Sequence, residues 1–331
     1  MGSIEIFKKF TYLFILALFI GCSSPLKELS TQLDEIEQLI PQDATLAQAK
    51  LDSLYETNTQ LFTTPDTQAR FILLDTYCKY RNYTEGNNDS LISIAETYYQ
   101  QHGTQRQKML CHLLHGVILN NAYKNEQAML QFQMAISEGD GTDEHFLLGQ
   151  IYCHMCNFCH SIEDYDNQKY AKAALHHYQL YGDTLYIRDA HFFMAQSYLD
   201  RNLYDSCYNY IMGNLPWTIQ NSDTFILFKN TRLLAKCELF FGLCDSAMFH
   251  TKSVRSKYKV PLDYEDYGNM AQACAKLGYR TEAYQYLDSA QKLFSDFSYQ
   301  RLYNYQSQAR TYHDLGDDVK AYKCYNLYQA L

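Results

Sequence analysis

The C-terminal third of the chain repeats itself, and this repeat limits the possible folds more than any other feature. Tyr267, Met270, Ala271 and Cys274 are followed by Leu277-Gly278, then by Ala283, Leu287 and Ala290. The next stretch gives Tyr305, Gln308, Ala309 and Tyr312, then Leu315-Gly316, then Ala321, Tyr325 and Tyr328. Spacings of three and four place each set on one helix face. The Leu-Gly step supplies the turn of an antiparallel pair, and the small residue after it lets the second helix approach the first. Weaker copies stand upstream: Gly116, Leu119, Ala128, Phe132 and Ala135; Ala195, Tyr198, Cys207 and Ile211; Ala235, Gly242 and Ala247. The matching second-helix positions Ala128, Ala171, Cys207, Ala247, Ala283 and Ala321 lie 43, 36, 40, 36 and 38 residues apart. No helix pair of this size buries its apolar face alone, so neighbouring pairs must stack.

The spacing predicts an all-α solenoid of about eight antiparallel helix pairs over residues 26–331. Thr64-Pro65 reads as an N-cap followed by proline at the first helical position. Asp43, Asp89, Asp183, Asp223 and Asp245 read as openings of further helices. The five prolines, Pro25, Pro41, Pro65, Pro216 and Pro261, are expected outside helix interiors. With 31 tyrosines, much of the packing must use rings with a polar tip.

A small residue and an aromatic on the first helix, then alanine and an aromatic on the second, resembles the tetratricopeptide repeat. The resemblance implies a superhelix whose concave groove, lined mostly by first helices, binds a protein or peptide without catalysis. Leu331 follows the last expected helix with no polar capping element, so that end is expected to cap itself or to be covered by a partner.

The first 21 residues read as an export signal. Lys8 and Lys9 precede an apolar run over 10–20, too short to span a bilayer as a helix but suited to a secretory signal. Gly21-Cys22-Ser23-Ser24 follows and resembles the bacterial lipobox, which implies that Cys22 is acylated and becomes the mature N-terminus. Residues 22–25 then form a short lipidated linker. An uncleaved anchor or an ordinary signal peptide is the alternative. Removing Glu5, Lys8 and Lys9 with residues 1–21 takes the formal charge from −9 to −10. No basic run remains to neutralise phosphates, which excludes nucleic acid as a partner. Attachment to anionic lipid must come from the acyl chains. Tyrosine-rich repeats behind a lipobox are similar to the tetratricopeptide lipoproteins of Bacteroidales, which implies the periplasmic or cell-surface face of a bacterial membrane.

One segment carries possible cofactor chemistry. Cys156, Cys159 and His160 have the spacing of a c-type haem attachment site. Cys153, Cys156 and Cys159 with His154 or His160 are also plausible zinc or cluster ligands. Their place on a repeat helix, beside Leu148, Gly149 and Tyr152, favours buried thiols and no cofactor. Cys207, Cys237, Cys274 and Cys324 likewise stand where a small apolar residue serves. Pairing among the ten cysteines other than Cys22 stays open.

The remaining candidates are weaker. Adjacent His176 and His177 point about 100° apart on a helix and cannot share a metal as neighbours on one face do. His112 and His115 lie one turn apart without a third ligand in view. No nucleophile elbow, zinc-protease or phosphate-loop motif occurs. Asp-Ser-Leu or Asp-Ser-Ala at Asp52, Asp89, Asp245 and Asp288, and Asp183-Thr184-Leu185, resemble the O-glycosylation acceptors of exported Bacteroidetes proteins; helix capping is the competing explanation. The expected function is a membrane-tethered, non-enzymatic adaptor for a protein or peptide. The alternatives are a glycan-capture or other small-molecule lipoprotein and, further off, a haem or metal carrier through Cys153–His160.

Overall fold

The computed structural model describes residues 25–84, 89–161, 167–221, 224–293 and 298–330. The expected signal, Cys22 and Asp223 lie outside the described residues. All regular structure within them is helical, in sixteen α-helices and one 3-10 turn at Thr59–Leu61. The chain divides into two compact units, one ending at Asp140 and one starting at Gly141. In the first, α1 (Pro25–Leu39) pairs with α2 (Ala44–Thr57), α3 (Pro65–Arg81) with α4 (Asp89–His102), and α5 (Gln105–Asn121) with α6 (Asn125–Gly139). In the second, α7 (His145–Ser161) pairs with α8 (Gln168–Tyr181), α9 (Thr184–Asp200) with α10 (Tyr204–Asn221), and α11 (Thr224–Phe240) with α12 (Cys244–Tyr258). It ends with α13 (Tyr264–Lys276) paired to α14 (Arg280–Leu293) and α15 (Ser298–Asp314) paired to α16 (Asp318–Gln329). Within each unit the first, or A, helix of a pair also packs on the A helix of the next pair. Each unit is thus a helical solenoid.

One turn geometry recurs between A and B helices. Tyr83, Tyr123, Asn202, Gly242, Gly278 and Gly316 all have positive φ, from 53° to 80°. The following amide donates back five residues in each case: Thr84 to Lys79, Lys124 to Leu119, Leu203 to Tyr198, Leu243 to Glu238, Tyr279 to Cys274 and Asp317 to Tyr312, all at 2.8–3.0 Å. That bond closes a Schellman motif and satisfies a carbonyl left open at the helix end. Gly242, Gly278 and Gly316 take this backbone without strain. Tyr83 and Tyr123 carry a Cβ there, and their rings stand 97% and 63% exposed.

The small residues work as expected in packing. A Cβ on Gly116 would meet the Phe132 ring at 2.7 Å, and one on Gly149 would meet the Tyr178 ring at 2.2 Å. In each pair a B-helix aromatic therefore rests directly on A-helix backbone. Ala128, Ala171, Cys207, Ala247 and Ala283 are buried at the matching B positions, whereas Ala321 is half-buried. On α16 only Cys324 is buried, while Val319, Tyr322, Tyr325 and Leu327 are exposed. No described helix is long and apolar enough to cross a membrane.

Helix starts match the sequence in part. Asp43, Thr64 and Asp183 cap α2, α3 and α9 through side-chain oxygens, as expected. Asp245 lies inside the first turn of α12, whose N-cap is Leu243, and makes no cap. Pro216 contradicts the expectation, because it falls inside α10. Helix α10 accommodates the missing amide while Asn214 Nδ2 donates to the Tyr210 carbonyl at 2.8 Å and Thr218 Oγ1 to the Asn214 carbonyl at 2.9 Å. These side chains tie the helix together on both sides of the proline.

Two substitutions test this packing by urea denaturation. Gly149→Ala is expected to destabilise the protein by about 1–3 kcal/mol, because the Tyr178 ring must move. Tyr123→Gly is expected to stabilise it by about 1 kcal/mol, because it relieves a left-handed backbone on an exposed residue.

Candidate functional site

Counting back from each left-handed turn residue brings out a polar stripe on the A helices of the second unit. Six residues before the turn stand Gln196, Lys236, Gln272 and Arg310, on α9, α11, α13 and α15. Thirteen before it stand Asp189, Lys229, Glu265 and Tyr303. Seven residues apart is two helical turns, so both rows share one face. Among all eight, only Arg310 is exposed; the rest are half-buried.

The rows are cross-linked from helix to helix. The Lys236 ammonium lies 3.6 Å from Glu265 Oε2 and 4.4 Å from the Tyr303 ring centroid. Burial lowers the Lys236 pKa, and Glu265 acts against that. Burial also raises the Tyr303 pKa well above its ordinary value, and the charge of Glu265 adds to the shift. Burial alone would raise the Glu265 pKa, but Lys236 and Arg232 hold it below its ordinary value. Arg310 on α15 and Asp200 on α9 both act on Lys236, and His160 on α7 acts on Glu265. Side chains from five successive A helices thus share one electrostatic field.

Beneath this stripe lies an ion network that fixes α11, α12 and α13. Arg232 bridges to Asp263, to Glu265 at 3.4 Å and to Asp266 at 3.2 Å. Arg255 reaches Asp263 at 3.0 Å and Asp266 at 2.5 Å, with its guanidinium over the Phe228 ring. Asp263 and Asp266 also form the capping box of α13. Asn269 is 5% exposed, and its Oδ1 accepts from the Tyr303 hydroxyl at 3.4 Å. Its Nδ2 is buried without a hydrogen-bond partner. A buried amide donor left open costs stability, and an arriving carbonyl or carboxylate would satisfy it.

The cysteine and histidine candidates of α7 separate. Cys156 and Cys159 are buried and Cys153 is half-buried. The Cys156 thiol points to the Asn167 carbonyl, 3.9 Å away. His160 is 56% exposed and bonded to Asp200 at 3.0 Å, away from the buried thiols. Burial raises the Cys153 and Cys156 thiols well above the ordinary range and pulls His154 down to about 4. Among the described residues, no three of His, Cys, Asp and Glu are arranged to hold a metal ion. The thiols of a Cys-x-x-Cys-His motif must reach a haem edge, and Cys156 and Cys159 face the protein interior instead.

His112 and His115 lie in the first unit and meet one carboxylate there. Glu96 on α4 contacts His115 Nδ1, stands 3.3 Å from His112 Nδ1 and accepts from Gln131 Nε2 at 3.1 Å. His115 Nε2 bonds Asp89 at 2.8 Å, and Asp89 also accepts from Lys124 at 2.6 Å. Asp89 opens α4, as expected, and its carboxylate also serves this network. Burial alone would lower the His115 pKa, but the bonds to Glu96 and Asp89 raise it overall. Burial alone would raise the Glu96 pKa, but His112, His115 and Gln131 hold it far below the usual carboxylate range. Of the Asp-Ser and Asp-Thr motifs, Asp183 is a cap, whereas Asp52 and Asp288 lie inside α2 and α14.

Sequence reading missed Lys236, Glu265, Asn269, Tyr303 and Arg310. A signal was present, because Gln196, Lys236, Gln272 and Arg310 recur at 40, 36 and 38 residues. The row mixes amides with cations, so it is fainter than the apolar periodicity of the same helices.

This architecture defines a class: an α-solenoid of tetratricopeptide-like helix pairs. The chain is similar to the Rap protein complexed with competence and sporulation factor, with a TM-score of 0.68 at 14% identity, covering 92% of this chain and 87% of that one. It is similar to NprR in complex with its cognate peptide NprX, with a TM-score of 0.63 at 14% identity, covering 91% of this chain and 88% of that one. Aspartyl phosphate phosphatase F from Bacillus subtilis matches with a TM-score of 0.56 at 12% identity over 94% of this chain and 95% of that one. No family model and no curated protein sequence matches the chain.

The His115–Glu96 network makes the first unit pH-sensitive in a defined sense. A raised histidine pKa gives stability that is full below about 6.5 and is lost as pH rises through the folded value. A lowered carboxylate pKa gives stability that is present above about 4.5 and is lost as pH falls further. Chemical denaturation from pH 3 to 9 should therefore show a maximum between those limits. His115→Gln should remove most of the decline on the alkaline side.

Proposed function

We propose that this chain is a lipid-tethered adaptor of the bacterial cell envelope that seats a protein or peptide on the A-helix face of its second unit. The observation that carries this reading is the polar stripe. Gln196, Lys236, Gln272 and Arg310 repeat along consecutive A helices, with the open Asn269 Nδ2 among them. An extended peptide offers backbone carbonyls and amides at regular intervals, which suits a surface where donors and acceptors recur from helix to helix. The ion network under the stripe holds those groups in place before the partner arrives, so little ordering cost accompanies binding. Rap with competence and sporulation factor, and NprR with its cognate peptide, are complexes of the same architecture and support the reading.

The role is one of binding and not of catalysis. Lys236 and Glu265 neutralise each other across helices while Tyr303 stays an uncharged phenol, and among the described residues nothing beside them resembles a nucleophile held by a base. The envelope location rests on the lipobox-like Gly21-Cys22 and the apolar run before it. Acyl chains on Cys22 would tether the first helical unit close to the bilayer, since only Ser23 and Ser24 separate that residue from α1.

Two measurements test the two halves separately. Cys22→Ala should abolish incorporation of labelled palmitate and move the protein from the membrane fraction to the soluble fraction; retained label rejects the tether. A photo-crosslinking residue at Gln306, beside Tyr303 on the A-helix face, should capture a discrete protein or peptide from native envelopes. The same residue at Lys292 on α14 should not. Equal capture at both positions, or a glycan as the sole captured species, rejects the peptide-binding reading.

A further inference from the structure

We propose that His145 and His177 form a two-point site for a divalent transition metal of the zinc, nickel or copper kind. His145 opens α7 and His177 lies on its partner α8, so the contact is fixed by the packing of one helix pair. Their Nδ1 atoms are 3.2 Å apart. Two ligands about 2.05 Å from a tetrahedral zinc stand about 3.3 Å from each other, so the pair already has the spacing of two ligands on one ion.

The surroundings suit that role. The Tyr152 ring stacks on His177 at 5.5 Å with 14° between planes, which holds the imidazole in orientation. Burial, then the neighbouring His145 and His176, keep the His177 pKa below its ordinary value. A neutral imidazole has a lone pair to give, and this nitrogen donor set matches zinc, nickel and copper. Both side chains are half-buried, so an ion can enter from solvent. His176 is exposed, and its ring lies at 68° to that of His177, outside the pair. Among the described residues no third His, Cys, Asp or Glu completes the set. The remaining coordination positions therefore belong to water or to donor atoms of a second molecule.

This site is separate from the Cys153–His160 segment and independent of the peptide-binding reading. A metal-free pair would instead share one proton between the two Nδ1 atoms, and the experiment separates the two states. Copper(II) is titrated into the full chain after chelator treatment and followed by calorimetry and by electron paramagnetic resonance. One copper per chain with two coupled nitrogens is expected. His145→Ala and His177→Ala should each weaken it by roughly tenfold or more, with His176→Ala unchanged. Equal weakening by all three variants, or by none, overturns the proposal. As a check that needs no variant, zinc(II) should shift the ring resonances of His145 and His177 alone among the 11 histidines. A shift spread over many rings, or no shift at saturating zinc, also overturns it.

Discussion

The structure depends on how closely an A helix and its B helix approach. At Gly116 and Gly149 an aromatic ring from the facing helix occupies the volume a Cβ would need. Buried alanine or cysteine at Ala128, Ala171, Cys207, Ala247 and Ala283 meets the same need from the other side. Close approach allows rings to fill the interface without cavities, and dense interiors respond to changes as small as one methyl group. It also explains the cysteine usage. A thiol is small, apolar and easily packed, and Cys78, Cys111, Cys207, Cys237, Cys244, Cys274 and Cys324 are all buried.

Once A and B helices are locked, successive A helices are left to meet each other along their polar edges. There the chain places two kinds of charge. Arg232 and Arg255 are fully engaged with Asp263, Glu265 and Asp266, a network that fixes three helices and whose disruption would leave a carboxylate buried. Lys236, Arg310 and Asn269 are less engaged. Rigid pairs below and partly satisfied groups above are the arrangement expected of a preorganised recognition surface. The first unit differs in character, since its interior ionic group is the histidine–carboxylate network around Glu96.

Much of this was legible in the sequence, and the boundary is instructive. The Leu277-Gly278 and Leu315-Gly316 steps announced both the turn and its left-handed residue, because glycine alone takes that backbone freely. At Tyr83, Tyr123 and Asn202 the same turn forms without glycine, so the repeat looked weaker upstream than it is. Local propensity argues that Pro216 lies outside a helix interior, yet packing and two side-chain bonds to the backbone carry α10 through it. The partner of His177 was invisible for a different reason. His145 lies 32 residues away, and only the docking of α7 on α8 unites them. Contacts between helices depend on their rotation about their own axes, which periodicity defines only to within a face.

The recurrent turn has a consequence for how such a chain can change length. Every functional position on the A-helix stripe keeps a constant offset from the left-handed residue that follows it, while those residues are 40, 36 and 38 apart from Asn202 to Gly316. The turn thus acts as an origin of coordinates, and the variable length is absorbed in the B helices and in the connections after them. Insertions there leave the recognition row in phase. A single added residue between Lys236 and Gly242 would rotate that row by about 100° and remove one rung from the ladder.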